Sequence, residues 1–417
     1  MADLPDPTTS PAAVVTALAA VVVTSLLYVH RERIGRIWPG FMARRRLRRL
    51  LSEAASASAS TIYVSSLRVY PVKSLRPVSV DDSTLSELGL AGDRCLMVVR
   101  PIPSSVYDSR KPSHRFVTQR QCPSLATIDA SLPMQARRRR EAASESIGSE
   151  SGSGSDRVVV RLHRPGADSA EGRVAVHVDV APSRLLDLPI RYRAGIWDDV
   201  VTVVDVGDEA AALVRAAVAE AGDSDGDGAQ DGLRVVSILP KGYRRPLDPT
   251  YLPPAAFSPT GAVPNTALND GFPVLIACEA SLDELNRRLE EGGREAVPMS
   301  RFRPNIVISG TVPFEEDTWK TIWIRGTDGR GGGTILHVVK GCPRCKQSCT
   351  DQLTGERHDE PVATLATFRA LGTMTGEVYF AQNAVPHRGT GRLAVGDQVV
   401  VLERGDPVWD RDTVRAE

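Results

Sequence analysis

The chain has 417 residues, a length that allows two domains in addition to a terminal segment. Lysine plus arginine and aspartate plus glutamate number 51 each, so the molecule lacks the large positive field that attracts nucleic acid. We therefore expect no nucleic-acid partner. The six cysteines have no regular spacing, which argues against a secreted disulfide framework and favours a reducing compartment.

The first element is an uncharged stretch rich in alanine and valine over residues 12–29. As a helix, its 18 residues would measure about 27 Å, close to the thickness of a hydrocarbon core. Acidic residues precede the stretch and arginines follow it, so the positive-inside tendency places the rest of the chain in the cytosol. The same charge order argues against a cleaved signal peptide. The sequence predicts a tail and a transmembrane helix over 1–30, in contact with membrane lipid, with a buried soluble helix as the alternative.

The arginine-rich segment and the small-residue stretch SEAASASAS predict a linker over 31–60. Short β-like segments broken by glycine and proline then predict a β-rich, barrel-like domain over 61–222. Within it, four arginines followed by a serine and glycine tract predict a disordered surface insertion over 135–156. Near its end, the alanine-rich segment Glu209–Ala221 predicts a helix that stops at Gly222.

The segment after this helix begins like a calcium-binding loop, with aspartates alternating up to Asp227 and a glycine at the sixth position. Its twelfth position is Arg234, where a calcium loop needs glutamate, so we predict a linker over 223–232 instead. A second domain of strands and short helices is predicted over 233–404, and a tail over 405–417.

Two features of the second domain predict local structure. Ser281 followed by Glu284 is typical of a capping box, which predicts a helix from about Leu282 to Glu290. The glycine-rich segment over 329–333 predicts a hairpin loop, because a phosphate-binding loop would need a helix directly after it.

Three of the six cysteines fall within residues 342–349. Cys345 is flanked by Arg344 and Lys346, whose positive charge favours its thiolate, so this thiol is the best candidate for reactive chemistry. A thiolate suits copper(I), zinc, iron–sulfur or a heavier thiophilic metal. Zinc lacks a second ligand pair, because the other cysteines are scattered and the histidines nearby are single. Thiol–disulfide exchange stays open, although no early βαβ pattern frames the CxxC.

Eight motifs taken together resemble the MOSC superfamily, and within it the membrane-anchored amidoxime-reducing component of mitochondria and its fungal relatives. The order and spacing of the motifs make the resemblance specific, and it extends from Thr61 to Glu403. The motifs are VYPVKSLRP (69–77), GDRCLMVV (92–99), FVTQRQCPSLATI (116–128), GFPVLIACEASLDELNRRL (271–289), RFRPNIVISG (301–310), CPRCKQSCTDQLTG (342–355), EPVATLATFR (360–369) and GDQVVVL (396–402).

The resemblance implies a β-rich α+β fold, in which an N-terminal MOSC β-barrel domain precedes a MOSC β-barrel domain. It also implies a molybdenum cofactor whose metal is bound by one protein cysteine, Cys345, which would be both the catalytic residue and the metal ligand. Contacts to the pterin and its phosphate would come from residues that suit such a ligand by charge and hydrogen-bonding capacity. By position in the motifs, these are Lys73, Ser74, Arg94, Arg303, Asn305 and Arg344.

The function implied is a membrane-anchored oxidoreductase that reduces N-hydroxylated substrates at molybdenum. Electrons would come from cytochrome b5 and NADH-cytochrome b5 reductase, because the chain has no Rossmann fingerprint and no haem-attachment CxxCH. The family points to the mitochondrial outer membrane with the folded domain in the cytosol, and the endoplasmic reticulum is the alternative. Pyridoxal phosphate binding is a further domain-level expectation, although no pyridoxal-phosphate enzyme half is present.

Two other functions stay open. One is a molybdenum-cofactor carrier or sulfur-transfer module with a persulfide on Cys345, and the other is a membrane-tethered binding scaffold in which this thiol is inert. The chain departs from the animal members at Asp270–Pro273, at Asn383 and at Cys349. We expect Cys349 to be a small buried residue rather than a second thiol near the metal.

Overall fold

The computed structural model describes residues 40–55, 61–103, 111–132, 159–163, 175–223, 232–239, 241–326, 333–388 and 391–410. The predicted transmembrane stretch, the insertion over 135–156, most of the calcium-like segment and the loop over 329–332 lie outside these residues. Among the helices described, none combines the length and the apolar character needed to cross a bilayer.

The chain is dominated by β-strands, as the segment pattern predicts. The strands are β1 (Tyr63–Val69), β2 (Val78–Val80), β3 (Asp82–Ser86), β4 (Gly89–Leu90), β5 (Leu96–Pro101), β6 (His114–Phe116), β7 (Asp129–Ser131), β8 (Val159–His163), β9 (Ala175–Asp179), β10 (Arg191–Ile196), β11 (Asp199–Asp205), β12 (Arg234–Ile238), β13 (Val274–Cys278), β14 (Ile306–Ser309), β15 (Trp319–Arg325), β16 (Gly333–Arg344), β17 (Val378–Pro386), β18 (Gly391–Ala394) and β19 (Gln398–Arg404). The helices are α1 (residues 40–55), α2 (Pro182–Asp187), α3 (Asp208–Glu220), α4 (Glu279–Glu291) and α5 (Val362–Ala366).

A small closed barrel is formed by the strands in the order β10-β11-β12-β5-β6. Strand β5 contributes to the cores on both sides of the barrel wall, because its residues are buried on both faces. Met97 and Val99 join the core inside the barrel, whereas Leu96 and Val98 join the core on the outside, which also contains the buried face of α3. The alternation of side chains along a strand separates the two sets. An uninterrupted apolar run is therefore what this strand requires.

A larger barrel is formed by the strand order β14-β13-β17-β16-β15-β19-β1, and an additional pairing of β14 with β1 closes it. Strand β1 pairs with β14 in antiparallel register, with Leu67 opposite Ile306, and it also pairs with β19. Both barrels of the predicted fold are thus present. The strand that closes this barrel, β1, comes from the amino-terminal half of the chain. The prediction of two consecutive domains does not include this exchange of a strand between them.

The structure corrects two local predictions. Ser281 does not form a capping box, because α4 begins at Glu279 and the Ser281 hydroxyl donates to Glu316 Oε2 at 2.8 Å instead. The predicted linker is helical over residues 40–55, and Leu47 in this helix is buried. The small-residue stretch that begins at Ser52 is therefore helical in its first part, up to residue 55.

The first residues of the predicted tail pack against the large barrel. The amide of Gly341 in β16 donates to the carbonyl of Val408 at 2.8 Å, and the Trp409 ring lies over the Gly341 Cα. A Cβ at this position would lie 2.3 Å from the ring, so only glycine permits the contact. The tail therefore covers the strand that leads to Cys345.

Candidate functional site

An open cleft lies where loops of the small barrel meet the end of β16 in the large barrel. Its charged lining is strongly one-sided, with six cations and one carboxylate. All seven residues that the family resemblance selects line this cleft, although they come from distant parts of the sequence. The cations are Lys73, Arg94, Arg120, Arg301, Arg303 and Arg344, and the carboxylate is Asp270.

Cys345 follows the last residue of β16 and precedes a short 3-10 turn, Lys346–Cys349. It is partly exposed to the cleft, and its Sγ accepts a hydrogen bond from Arg120 Nε at 3.2 Å. This contact places a guanidinium directly beside the sulfur that the family resemblance selects as the metal ligand. Arg120 lies in the FVTQRQ motif, but nothing in that motif distinguishes it from its neighbours.

Three of the cleft residues have left-handed backbone conformations. The φ angles are 71° at Ser74, 43° at Arg94 and 57° at Arg303. Each such residue costs about 1–3 kcal/mol, and strain of this kind concentrates at functional sites. The Arg94 and Arg303 guanidinium carbons lie 4.2 and 4.3 Å from the centre of the Tyr70 ring. The ring therefore holds two positive charges together at one side of the cleft.

Asp93 organises this side of the cleft from beneath, and its side chain is fully buried. Its carboxylate accepts hydrogen bonds from Tyr70 N at 2.8 Å, from Arg94 Nη1 at 2.6 Å and from Asn305 Nδ2 at 3.0 Å. The Asn305 Oδ1 in turn accepts from Leu275 N at 3.1 Å. Asn305 therefore uses its amide to join strands of the large barrel to Asp93, which makes it a positioning residue.

Lys73 and Asp270 form an ion pair across the cleft, with Nζ and Oδ1 at 2.7 Å. Burial lowers the pKa of Lys73 to about 8, against the opposing effect of Asp270. Burial disfavours ionised Asp270, but the charges of Lys73 and Arg120 outweigh it and hold the pKa of that carboxyl well below its usual range. Trp197 Nε1 also donates to Asp270 Oδ1 at 3.0 Å, and the Arg120 guanidinium stacks over the Trp197 ring at 4.7 Å.

Arg344 lines the cleft, yet its guanidinium is already occupied. It donates to the carbonyl of Phe380 through Nε and Nη2, at 2.9 and 2.7 Å, and to the carbonyl of Phe302 through Nη1 at 2.8 Å. These bonds tie the end of β16 to its neighbours. Arg344 can therefore contribute positive charge to the cleft and fix the position of Cys345, but few of its donors are available to a ligand.

Several buried donors of the lining have no hydrogen-bond partner among the described residues, although buried polar groups are normally paired. They are Ser74 Oγ, Arg301 Nε and Nη1, and Arg303 Nη2. Burial lowers the pKa of Arg303 to about 10, which leaves it charged at neutral pH. Unpaired donors on buried cations fit an anionic ligand with many acceptors, which is the chemistry of a pterin that carries a phosphate.

The remaining cysteines of the segment differ from Cys345. Cys342 lines the cleft, and burial raises its pKa. Cys349 is buried beside the cleft lining, where its Sγ donates to the Asp359 carbonyl at 3.3 Å, which confirms the prediction of a small buried residue. Within the described part of the chain, no group of three or more His, Cys, Asp or Glu side chains could hold a metal ion.

Sequence comparisons relate the chain to known proteins. Residues 61–220 match the family described as MOSC N-terminal beta barrel domain, and residues 264–400 match the MOSC domain. "Mitochondrial amidoxime reducing component 2" of Bos taurus is 27% identical over 358 residues, which cover 83% of this chain and 82% of that protein. The human protein of the same name is 37% identical over 144 residues, covering 34% and 38% of the two chains.

A second group of relatives carries another name. "Molybdenum cofactor sulfurase" of Aspergillus terreus is 29% identical over 174 residues, which cover 37% of this chain and 20% of that protein. The similarity to this relative is therefore confined to a small part of its length, whereas the bovine relative matches over most of both chains. The chain belongs to the MOSC family, in which it joins a MOSC N-terminal beta barrel domain to a MOSC domain, and it resembles the mitochondrial amidoxime reducing component.

Proposed function

We propose that this chain has a molybdenum-related function of the MOSC type and that it is a reductase of N-hydroxylated compounds. The observation that carries the proposal is a partly exposed thiol, Cys345, which accepts a hydrogen bond from Arg120 in a cleft of six cations in which buried donors are unpaired. The names of the relatives that match over most of the chain support the reductase activity.

The residues of the cleft divide into three roles toward a molybdenum cofactor. Cys345 would bind the metal. Lys73, Ser74, Arg94 and Arg303 would contact the pterin and its phosphate, and Asn305 and Arg344 would hold these contacts in place. Arg120 and Arg301, which the sequence did not single out, join the set because both line the cleft and carry donors toward it. When bound, the cofactor would supply two-electron chemistry and remove oxygen from an N–O substrate.

The protein's own residues prepare the cleft for this reaction. Arg120 donates a hydrogen bond to Cys345 Sγ and is itself held by the Trp197 ring. Lys73 Nζ holds a proton at neutral pH, because its pKa of about 8 lies above that value. This charged ammonium would pair with the phosphate of the pterin.

The same family points to the partners and the location. We propose that cytochrome b5 and NADH-cytochrome b5 reductase supply the electrons, and that the chain is anchored in the mitochondrial outer membrane or, alternatively, the endoplasmic reticulum. The uncharged stretch over 12–29 and the arginines that follow it support a single span with the folded domain in the cytosol. The word "mitochondrial" in the names of the relatives favours the former membrane.

Metal analysis and an activity assay on one pair of variants test the proposal. Cys345→Ala should lose molybdenum and abolish benzamidoxime reduction with reconstituted electron partners. Cys349→Ala is the matched control, because this cysteine is buried outside the cleft lining, and it should keep the metal in the fraction that folds. Thermal unfolding of both variants separates loss of the site from loss of the fold. Full activity of Cys345→Ala would contradict the assignment.

A second function has its own support, because part of the chain is similar to molybdenum cofactor sulfurases. In that function the chain would carry the cofactor or transfer sulfur from a persulfide on Cys345. Purified protein that contains molybdenum but does not reduce benzamidoxime would favour this carrier function. Protein without molybdenum after expression in a cofactor-producing host would contradict both functions.

A further inference from the structure

Helix α1 presents two faces of different character. Leu47 is 5% exposed and faces the large barrel, whereas Phe41 and Met42 are each 49% exposed. Arg45 and Arg48 are exposed and lie four and seven residues after Phe41, which places all three on the same outer side of a helix. The outer face of α1 therefore combines apolar and cationic side chains.

The barrel fixes which face points outward. Arg46 Nε lies 3.0 Å from Glu403 Oε1, and Glu403 Oε2 accepts a hydrogen bond from Thr321 Oγ1 at 2.8 Å. Thr321 Oγ1 lies 3.4 Å from His337 Nδ1, and both residues are buried. This chain of polar contacts, together with Leu47, holds α1 on β15, β16 and β19. The orientation of the outer face follows from these contacts rather than from the helix alone.

The cations near α1 lack acidic partners. Arg44, Arg45 and Arg48 form no ion pair with any described acidic residue. Arg388, in the segment after β17, has its Nε and Nη2 buried and without a hydrogen-bond partner among the described residues. Burial, and then the charge of Arg44, lower the pKa of Arg388. An anion that reaches these arginines would provide acceptors for the unpaired donors.

We propose that the outer face of α1, together with Arg388, binds the surface of an anionic membrane. Lipid phosphates and carboxylates would pair with Arg44, Arg45, Arg48 and Arg388, and Phe41 would enter the boundary between headgroups and acyl chains. A helix with cations and an aromatic side chain on one face is typical of such interfacial binding.

Two observations favour lipid over a nucleic acid for this surface. Phe41 exposes apolar area next to the arginines, which a phosphate backbone would leave in water. The sequence before α1 also contains the uncharged stretch over 12–29, so a bilayer is the anionic surface that this part of the chain meets under the proposed topology. The contact would add to the span and does not depend on any enzymatic activity.

Amide hydrogen exchange of residues 40–55 tests the proposal on the full chain. The protein is placed in nanodiscs of phosphatidylcholine alone or of phosphatidylcholine with phosphatidylserine. We expect slower exchange in α1 only with the anionic lipid, and reversal at high salt because such contacts are screened. Helix α4, which is on the large barrel and away from the proposed surface, serves as the internal reference.

Variants give the expected size of the effect. Each arginine near an anionic surface is worth roughly fivefold in binding, so Arg45→Gln with Arg48→Gln should weaken the docking of α1 about 30-fold. Arg184→Gln with Arg191→Gln, which removes one exposed arginine of α2 and one of β10, is the matched control and should leave exchange in α1 unchanged. Benzamidoxime reduction in detergent should be the same in both double variants, which separates this test from that of the reductase.

Three results would overturn the proposal. Equal exchange in neutral and anionic nanodiscs would show that the face does not recognise anionic lipid. Equal protection by inorganic phosphate in detergent would reduce the surface to a site for free anions. Protection by RNA that phosphatidylserine cannot match would assign the arginines to a different class of partner.

Discussion

Buried arginines occur in two regions of the large barrel, and their guanidinium groups differ in how many hydrogen-bond partners they have. In the Asp317 cluster (Asp317, Arg369, Gln382, Glu316 and Ser281), Arg369 donates to Asp317 at 2.7 and 3.1 Å and to the Tyr379 carbonyl at 3.0 Å. In the cleft, Arg301 and Arg303 are as deeply buried. Arg301 Nη2 donates to Asp351 Oδ2 at 2.9 Å, yet three other nitrogens of the two arginines have no partner among the described residues.

The difference shows that burial alone does not mark a functional arginine. A buried charge that is paired and fully hydrogen-bonded holds neighbouring elements together, and breaking the pair is costly. A buried charge whose donors are unpaired raises the energy of the free protein, and a ligand can remove that cost when it binds. The unmet donors of the arginines distinguish the two regions, because Arg369 has none and Arg301 and Arg303 have three between them.

The largest effect is expected in the Asp317 cluster. Asp317→Ala leaves the Arg369 guanidinium buried without its counter-charge, so it should lower the free energy of unfolding by about 3–5 kcal/mol. Urea unfolding measures this loss. The double variant Asp317→Leu with Arg369→Met should recover most of it, since no charge is then left unpaired. A loss below about 1 kcal/mol in Asp317→Ala would contradict the structural role of the pair.

The next effect depends on pH. Burial, and then the charge of Asp317, raise the pKa of Glu316 to about 7 from an ordinary value of 4.5. The folded protein thus holds a proton that the unfolded chain releases, so stability is full below pH 4.5 and declines as the pH rises through 7. The decline should total roughly 3 kcal/mol from this group. Glu316→Gln should flatten the profile of unfolding free energy against pH, and an unchanged slope would contradict the assignment.

In the cleft, Arg303→Met should affect cofactor binding much more than stability. It removes a buried charge that has no acidic partner within hydrogen-bonding distance, so the free energy of unfolding should change by less than about 1 kcal/mol. Retention of the molybdenum cofactor should fall roughly tenfold to a hundredfold, because a charge-assisted hydrogen bond is lost. Molybdenum per folded chain measures the effect. Destabilisation equal to that of Asp317→Ala would erase the distinction between the two regions.

The smallest effect is expected at the mouth of the cleft. Trp197→Phe keeps an aromatic ring under Arg120 but removes the bond from Nε1 to Asp270, worth about 1 kcal/mol. We expect a change of a few-fold in the KM for benzamidoxime with molybdenum content unchanged. Trp197→Ala removes the ring as well and should have the larger effect, and equal values for the two variants would show that the hydrogen bond alone matters.

Much of the fold was predictable because strands leave a local pattern. The short β-like segments predict strands such as those of the small barrel, and the alanine-rich segment predicts α3, which ends one residue earlier than expected. Strand β17 was missed, although it lies in the middle of the large barrel. Its segment VYFAQNAVP mixes small, polar and aromatic residues, since nearly all of it is buried between neighbours and needs no alternation.

The capping box failed for a different reason. Ser281 and Glu284 have the right spacing, but a buried carboxylate, Glu316, takes the serine hydroxyl, and Glu284 pairs with Arg287 and Arg288. Local propensity gives way where a tertiary partner offers a buried hydrogen bond. The contact joins residues 35 positions apart, so no window of neighbouring residues contains it.

The sequence by itself determined which residues we propose for the site. A cysteine between cations and eight ordered motifs were enough to select Cys345 and six partners. Only the tertiary structure decided how these residues meet. Arg120 reaches Cys345 across 225 positions, and strand β1 closes a barrel made mainly of the other half of the chain. The periodicity of a strand depends on neighbouring residues only. The pairing register that closes a barrel depends on all of its strands at once, and the cleft exists only after both barrels have closed.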